Sequence, residues 1–151
     1  MKSSVKLLLA TVCTAALATP AFADSFVNGS FENGTLSGWT VGGGYWPGGA
    51  YPEPQDYLPG GANYDPNYAV VTVTSVGTDP LTDNVLSTVF AGAHSAQVNN
   101  YYNDNSVSVI SQRVNNYTDP LIAFSYAAVL ESSHDTYDSD AFIITLVDFT
   151  T

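Results

Sequence analysis

Apolar and polar residues alternate over short runs along much of this chain, a pattern typical of β-strands. The opening run, Phe26–Val41, places Val27 and Phe31 on one face of an extended segment. Two Gly-containing turns follow, after which Trp39 re-enters the interior. The pattern therefore predicts a first β-hairpin with Phe31 and Trp39 in the core. No stretch has the period of an amphipathic helix.

Further strand-like runs, each bounded by turn residues, follow later in the chain. They cover residues 69–76, 85–90, 107–114, 121–130 and 142–147, with a shorter candidate at 93–98. Residues 121–130 form the most apolar run, which predicts a central strand. Short strands that recur between polar turns predict an all-β sandwich.

Residues 42–68 interrupt this alternation with a segment dense in Gly, Pro and Tyr. Its five prolines exclude a central strand through most of the segment, because proline cannot donate to a sheet ladder. We predict a long surface loop here. Loops of this length are uncommon in compact domains unless they are functional or disordered.

The first 23 residues have the features of a secretory signal peptide. Lys2 and Lys6 precede an apolar run at residues 7–17, and Ala21-Phe22-Ala23 matches a cleavage site. The apolar run is shorter than the about 20 residues needed to span a membrane. We therefore predict a signal peptide at 1–23 and a β-sandwich domain at 24–151. The mature chain would be secreted or held at the cell surface, without membrane insertion.

The charge of the predicted mature chain is strongly negative. Arg113 is its one basic residue against all 14 acidic ones, which gives a net charge of −13. Nucleic-acid partners are excluded because phosphate backbones require clustered Lys and Arg. The single cysteine, Cys13, lies in the signal peptide, so the mature chain has no disulfide.

Two short motifs carry a resemblance to a known family. Asn-Gly-Ser-Phe-Glu at 28–32, followed by Ser-Gly-Trp at 37–39, resembles the opening of galactose-binding-like jelly-roll domains. Such domains occur in secreted bacterial carbohydrate-binding modules and in exosortase-sorted (PEP-CTERM) surface proteins. Residues 123–131 are similar to a middle strand of these domains. The resemblance implies a jelly-roll β-sandwich, and because the family continues with further strands and a sorting tail, we expect this chain to be truncated and to lack its last strands.

The resemblance also implies a non-catalytic module that binds a polysaccharide or a cell-envelope glycan. Within the aromatic loop, Tyr45, Trp46 and Tyr51 are the candidate binding residues, since aromatic faces stack on the apolar face of a sugar ring. In the alternative interpretation these rings pin the loop onto the sandwich. The protein would then be a structural or adhesion domain without a small ligand.

A structural calcium ion is implied by the same resemblance, with Glu32 as a ligand because it occupies the position of a calcium-binding Glu in the family. Asp135, Asp138 and Asp140 form a second acidic group, but their spacing is not that of an EF-hand. The alternative for this second group is a solvated acidic turn.

Catalytic motifs are absent from the sequence. His94 and His134 lie 40 positions apart, with no zinc-binding spacing, and no Gly-x-Ser-x-Gly motif occurs. Glu131, His134 and Asp135 resemble an acid–base cluster, although a loop that leaves a strand supplies such residues by chance. We predict that the protein is not an enzyme.

Overall fold

A computed structural model of the chain describes residues 26–98, 105–115, 117, 119–130 and 140–149. These residues form β-strands, short 3₁₀ turns and no α-helix, so this part of the chain is all-β. None of its helical segments has the length and apolar character needed to cross a membrane. The predicted signal peptide and the residues Glu131, His134, Asp135 and Asp138 lie outside the described residues.

The strands pair into two small antiparallel sheets. They are β1 (Thr40–Tyr45), β2 (Val71–Ser75), β3 (His94–Val98) and β4 (Ser106–Ser111). Strand β1 pairs with β4, and β2 pairs with β3. The 3₁₀ turns cover Pro54–Tyr57, Pro66–Tyr68 and Pro80–Thr82, and each begins with a proline, whose fixed φ suits the first helical position.

Three consecutive glycines form the buried part of β1. A Cβ atom on Gly42 would collide with the backbone of Tyr57 and Leu58, and one on Gly43 would collide with the backbone of Tyr68. Glycine is therefore required for close approach of two main chains. The segment that follows β1 consequently packs directly on the backbone of this strand.

Few side chains are fully buried in the described part of the molecule. Tyr57 is 1% exposed, and Val71 and Val89 are also buried. A separate aromatic cluster joins Trp39 to Phe31, with ring centroids 5.1 Å apart, and to Phe26 at 6.4 Å. Among the described residues, full burial of a side chain is thus confined to Tyr57 beside β1 and the two valines, whereas the rings of the Trp39 cluster are half-buried.

Three strand predictions are confirmed. The runs 69–76 and 93–98 contain β2 and β3, and the run 107–114 overlaps β4, which begins one residue earlier, at Ser106, and ends at Ser111. In β2 the predicted alternation holds for Val71, which is buried, and Thr72, which is exposed, whereas Val73 and Thr74 are both half-buried.

The predicted first hairpin is wrong. Residues 26–38 form successive turns, and Asn28 and Phe31 both adopt positive φ values that end any extended segment. The Asn28 side chain donates to the backbone oxygens of Thr35 and Ser37, which closes these turns. Phe31 and Trp39 do pack against each other, but both side chains are half-buried, so their predicted place in the core is confirmed only in part.

The loop prediction for 42–68 is wrong at its beginning. Gly42–Tyr45 belongs to β1, and residues 46–70 form loops that contain two of the 3₁₀ turns. Because glycine has no side chain, the three glycines of β1 show no alternation of apolar and polar residues, and the sequence pattern could not predict this strand.

Three other predicted strands are absent. Within 85–90, only Ser87 pairs, in an isolated bridge with Thr78, because Asp83 and Asn84 turn the chain through positive φ. Residues 121–130 and 142–147 form no ladder, and most of their side chains are exposed. The predicted central strand at 121–130 is therefore wrong: its apolar residues make ring contacts, such as Tyr126 on Phe142 at 5.3 Å, in place of backbone pairing.

Candidate functional site

A cleft of about 290 Å³ opens beside the end of β1. It lies between the loop after Trp46 and the 3₁₀ turn Pro54–Tyr57. Its aromatic, acidic and amide lining residues are Trp46, Tyr51, Glu53, Asp56, Tyr57 and Asn63. The cleft therefore combines apolar ring surfaces with hydrogen-bonding groups, as small-molecule sites do.

Trp46 forms one wall and is fixed in two ways. Its backbone N–H donates to the Asn105 oxygen at 2.5 Å, which continues the pairing of β1 with β4. Its indole Nε1–H donates to the Ala50 oxygen at 3.1 Å. Positive φ at Gly48 and Gly49 allows the chain to turn back between these residues. Since the indole N–H is already bonded, the ring can offer its face to a ligand.

Tyr51 supplies a second ring, and its side chain is 69% exposed. Tyr45 does not line this cleft, although it is also exposed, at 49%. Neighbouring residues in extended backbone project to opposite sides, which separates Tyr45 from Trp46. Of the three predicted binding residues, the structure thus brings Trp46 and Tyr51 together and leaves Tyr45 outside.

Glu53 and Asp56 bring two carboxylates to the cleft. The turn that carries them is closed by the Asp56 N–H, which donates to the Glu53 oxygen at 3.0 Å. The Asp56 oxygen in turn accepts the Asn63 N–H at 2.9 Å. Neither carboxylate is held by a hydrogen bond or ion pair with another described residue, so both can contact a ligand. Sequence reasoning missed Glu53, Asp56 and Asn63; the available signal was two acidic residues around a proline inside the aromatic loop.

Tyr57 lies under the cleft and anchors it to β1. Its ring is buried, and the space above Gly44 is so small that a Cβ there would lie 2.8 Å from Tyr57 Cδ1. Burial raises the pKa of the Tyr57 phenol, and the neighbouring Asp56 carboxylate raises this pKa further. The hydrogen bond with the Asn63 side chain acts on the pKa in the opposite direction. The phenol therefore stays neutral around physiological pH.

Glu32, the predicted calcium ligand, lies away from the cleft and binds backbone amides. Its carboxylate accepts the Ala93 N–H at 3.0 and 3.1 Å and the His94 N–H at 3.1 Å. These bonds, that of Ala93 first, lower the pKa of the Glu32 carboxyl. Glu32 thereby ties the turns at 26–38 to the beginning of β3.

The described surroundings of Glu32 supply a single carboxylate, and both of its oxygens face N–H groups. Calcium takes about six to eight oxygen ligands. No group of three or more His, Cys, Asp or Glu side chains suited to a metal occurs among the described residues. This donor set does not by itself fit calcium, and calcium binding at Glu32 stays a prediction.

Comparisons with protein-family models, with curated proteins and with solved structures found no match to this chain. The resemblance to galactose-binding-like domains therefore depends on the short motifs in the sequence alone.

Proposed function

We propose that this protein is a secreted or cell-surface, non-catalytic module that binds carbohydrate in the cleft lined by Trp46 and Tyr51. The observation that carries the proposal is the arrangement of the Trp46 and Tyr51 rings around one open space with two carboxylates, Glu53 and Asp56, that have no bonding partner among the described residues. The volume of about 290 Å³ is just below the usual range for small-ligand pockets, which suits a ligand as small as one or two sugar rings.

The chemistry of the lining matches that of a sugar. A pyranose ring has an apolar C–H face that packs on an indole or phenol, and its hydroxyls require hydrogen-bond partners. Glu53 and Asp56 can accept hydrogen bonds from these hydroxyls, and the Asn63 side chain can donate one. Since Trp46 is fixed by its bond to Ala50, little side-chain freedom is lost when a ligand binds.

The fold and location belong to the same proposal. A galactose-binding-like jelly roll is supported by the two antiparallel sheets and by the motif at 28–32, and a signal peptide at 1–23 would export the chain. Binding sites of such modules are non-catalytic, and the proposal includes this property.

Two matched substitutions test the site. Tyr51→Ala should weaken binding to a responsive oligosaccharide, first identified on a glycan array, by about tenfold, because a stacking anchor is lost. Tyr45→Ala removes an equally large exposed ring outside the cleft and should leave the affinity unchanged. Calorimetric titration of the full chain measures both values. Equal losses in the two variants, or no binding of any glycan, would contradict the proposal.

A structural or adhesion role without a small ligand is the second candidate. It is favoured by the exposed apolar side chains of residues 121–130 and 140–149, which present contact surface for another macromolecule. Acrylamide quenching of Trp46, measured in a Trp39→Phe background, separates the two candidates. Addition of glycan should protect the indole if the cleft binds sugar and should leave quenching unchanged if it does not.

A further inference from the structure

We infer that the cleft selects glycans that carry free amino groups, such as oligosaccharides of 2-amino-2-deoxyglucose, over neutral, N-acetylated or acidic glycans. This inference rests on the proposed function, since it assigns a ligand class to the same cleft.

The charged residues that line the cleft are all negative. Glu53 and Asp56 both line it, and none of its lining residues is basic. Arg113 is the one basic residue after position 23, and its guanidinium lies 4.6 Å from the centroid of the Phe149 ring. A ligand carboxylate or sulfate would therefore meet two negative groups with no compensating cation, and such juxtapositions disfavour binding.

An ammonium group on the ligand would be attracted by the same two carboxylates that repel an anionic ligand. Hydrogen bonds between ammonium and carboxylate are charge-assisted and stronger than those of a neutral hydroxyl. The faces of Trp46 and Tyr51 add attraction, because the quadrupole of an aromatic ring is negative above its face. The same rings pack on the C–H face of the sugar, so one ligand uses both kinds of lining.

N-acetylation is the most informative change in the ligand. It removes the positive charge and leaves the sugar ring and its hydroxyls in place. A preference that depends on Glu53 and Asp56 should therefore disappear on acetylation, whereas stacking on Trp46 should persist. The net charge of the chain also attracts cations at long range, so an effect of the cleft must be separated from an effect of total charge.

The test is calorimetric titration of the full chain with β-1,4-linked hexamers of glucosamine, N-acetylglucosamine and glucose. We expect the glucosamine hexamer to bind at least about tenfold more tightly than the other two, equivalent to about 1.4 kcal/mol. Glu53→Gln and Asp56→Asn should each reduce this preference. Asp83→Asn is the matched control: it removes one negative charge outside the cleft, and Asn tolerates the positive φ of this position.

The outcomes separate this inference from the proposed function. If the neutral hexamers bind as tightly as the glucosamine hexamer, the amine preference is wrong, although carbohydrate binding stands. If Asp83→Asn has the same effect as Asp56→Asn, or a lysine hexapeptide binds as well and independently of Trp46, attraction by total charge explains the data and the inference is overturned. If no hexamer binds, both the inference and the proposed function fail.

Discussion

At the scale of single residues, Glu32 connects distant parts of the chain through the backbone amides of Ala93 and His94. Backbone N–H groups that point at a carboxylate stabilise its ionised form. Ala93 and His94 supply these groups at the beginning of β3, and this geometry lowers the pKa of the Glu32 carboxyl. The contribution of Glu32 to folding is therefore tied to its negative charge.

Acidification should remove this contribution. Because the folded-state pKa lies below the ordinary value of 4.5, the stabilisation is complete above that value and is lost as pH falls through the lowered pKa. Glu32→Gln should therefore melt at a lower temperature than the native chain at about pH 7, and the difference should shrink toward about pH 3. Glu53→Gln, in which the replaced carboxylate has no described partner, is the control.

A chelator distinguishes this account from the calcium hypothesis. With EDTA present, Glu32→Gln should still lower the melting temperature, because the amide bonds need no metal. A loss of the difference in EDTA, together with a calcium-dependent rise in the melting temperature of the native chain, would favour a metal at Glu32.

Trp46 and Tyr51 could be chosen as candidates from the sequence because rings in a Gly- and Pro-rich loop suit either stacking on a ligand or anchoring of the loop. Tyr45 could not be excluded, since its position outside the cleft depends on the end of β1, a strand that the pattern does not reveal. Glu53 and Asp56 could not be selected either. Their placement depends on the 3₁₀ turn Pro54–Tyr57, which Glu53 precedes and which contains Asp56; Pro54 is compatible with such a turn but does not place it beside Trp46.

At the scale of elements, the buried part of β1 consists of three glycines and therefore has no side chains. Its glycines allow the backbone of Tyr57 and Tyr68 to approach closely, which fixes the loop that forms the cleft. Strands with alternating valines, such as β2, could be predicted because side chains of opposite character mark their two faces. The apolar run at 121–130 was misleading because its side chains are mostly exposed and its backbone pairs with no strand in the described part of the chain.

Gly43→Ala tests the role of β1. The added methyl would collide with backbone atoms of Tyr68 and Ala69, so we expect a loss of about 1–3 kcal/mol in the free energy of unfolding. In the control, Gly77→Ala, the added Cβ has its nearest neighbour, Thr88 Oγ1, at 3.6 Å, which is ordinary contact. Urea denaturation measures both. Equal stabilities of the two variants would contradict the close packing of the loop on β1.

At the scale of the whole molecule, strong negative charge coexists with exposed apolar surface. The net charge of the complete sequence is −11, and aromatic and aliphatic side chains of 121–130 and 140–149 are exposed, including Phe124 at 62%. Charge repulsion opposes association of like molecules, whereas contact between apolar patches favours it. Salt screens the charge repulsion and leaves the contact between apolar patches largely unchanged.

Self-association should therefore increase with ionic strength. We expect sedimentation velocity to show larger species in about 0.5 M NaCl than in about 0.05 M NaCl, because the shorter Debye length screens the repulsion. Phe124→Ser should reduce this response. Phe90→Ser, at a position that is 87% exposed and outside the two segments, should not. A response that decreases with salt would show that charge, and not apolar contact, drives association.

The contact between β1 and its loop has a consequence for how recognition can change over time. Gly42 and Gly43 meet main-chain atoms of the loop, and these atoms are the same whatever side chains the loop carries. Point substitutions at positions such as Tyr51 and Glu53 should therefore change the lining of the cleft without disturbing the packing of the loop on β1. Under the proposed function, ligand preference could then diverge among related chains while the backbone framework stays the same.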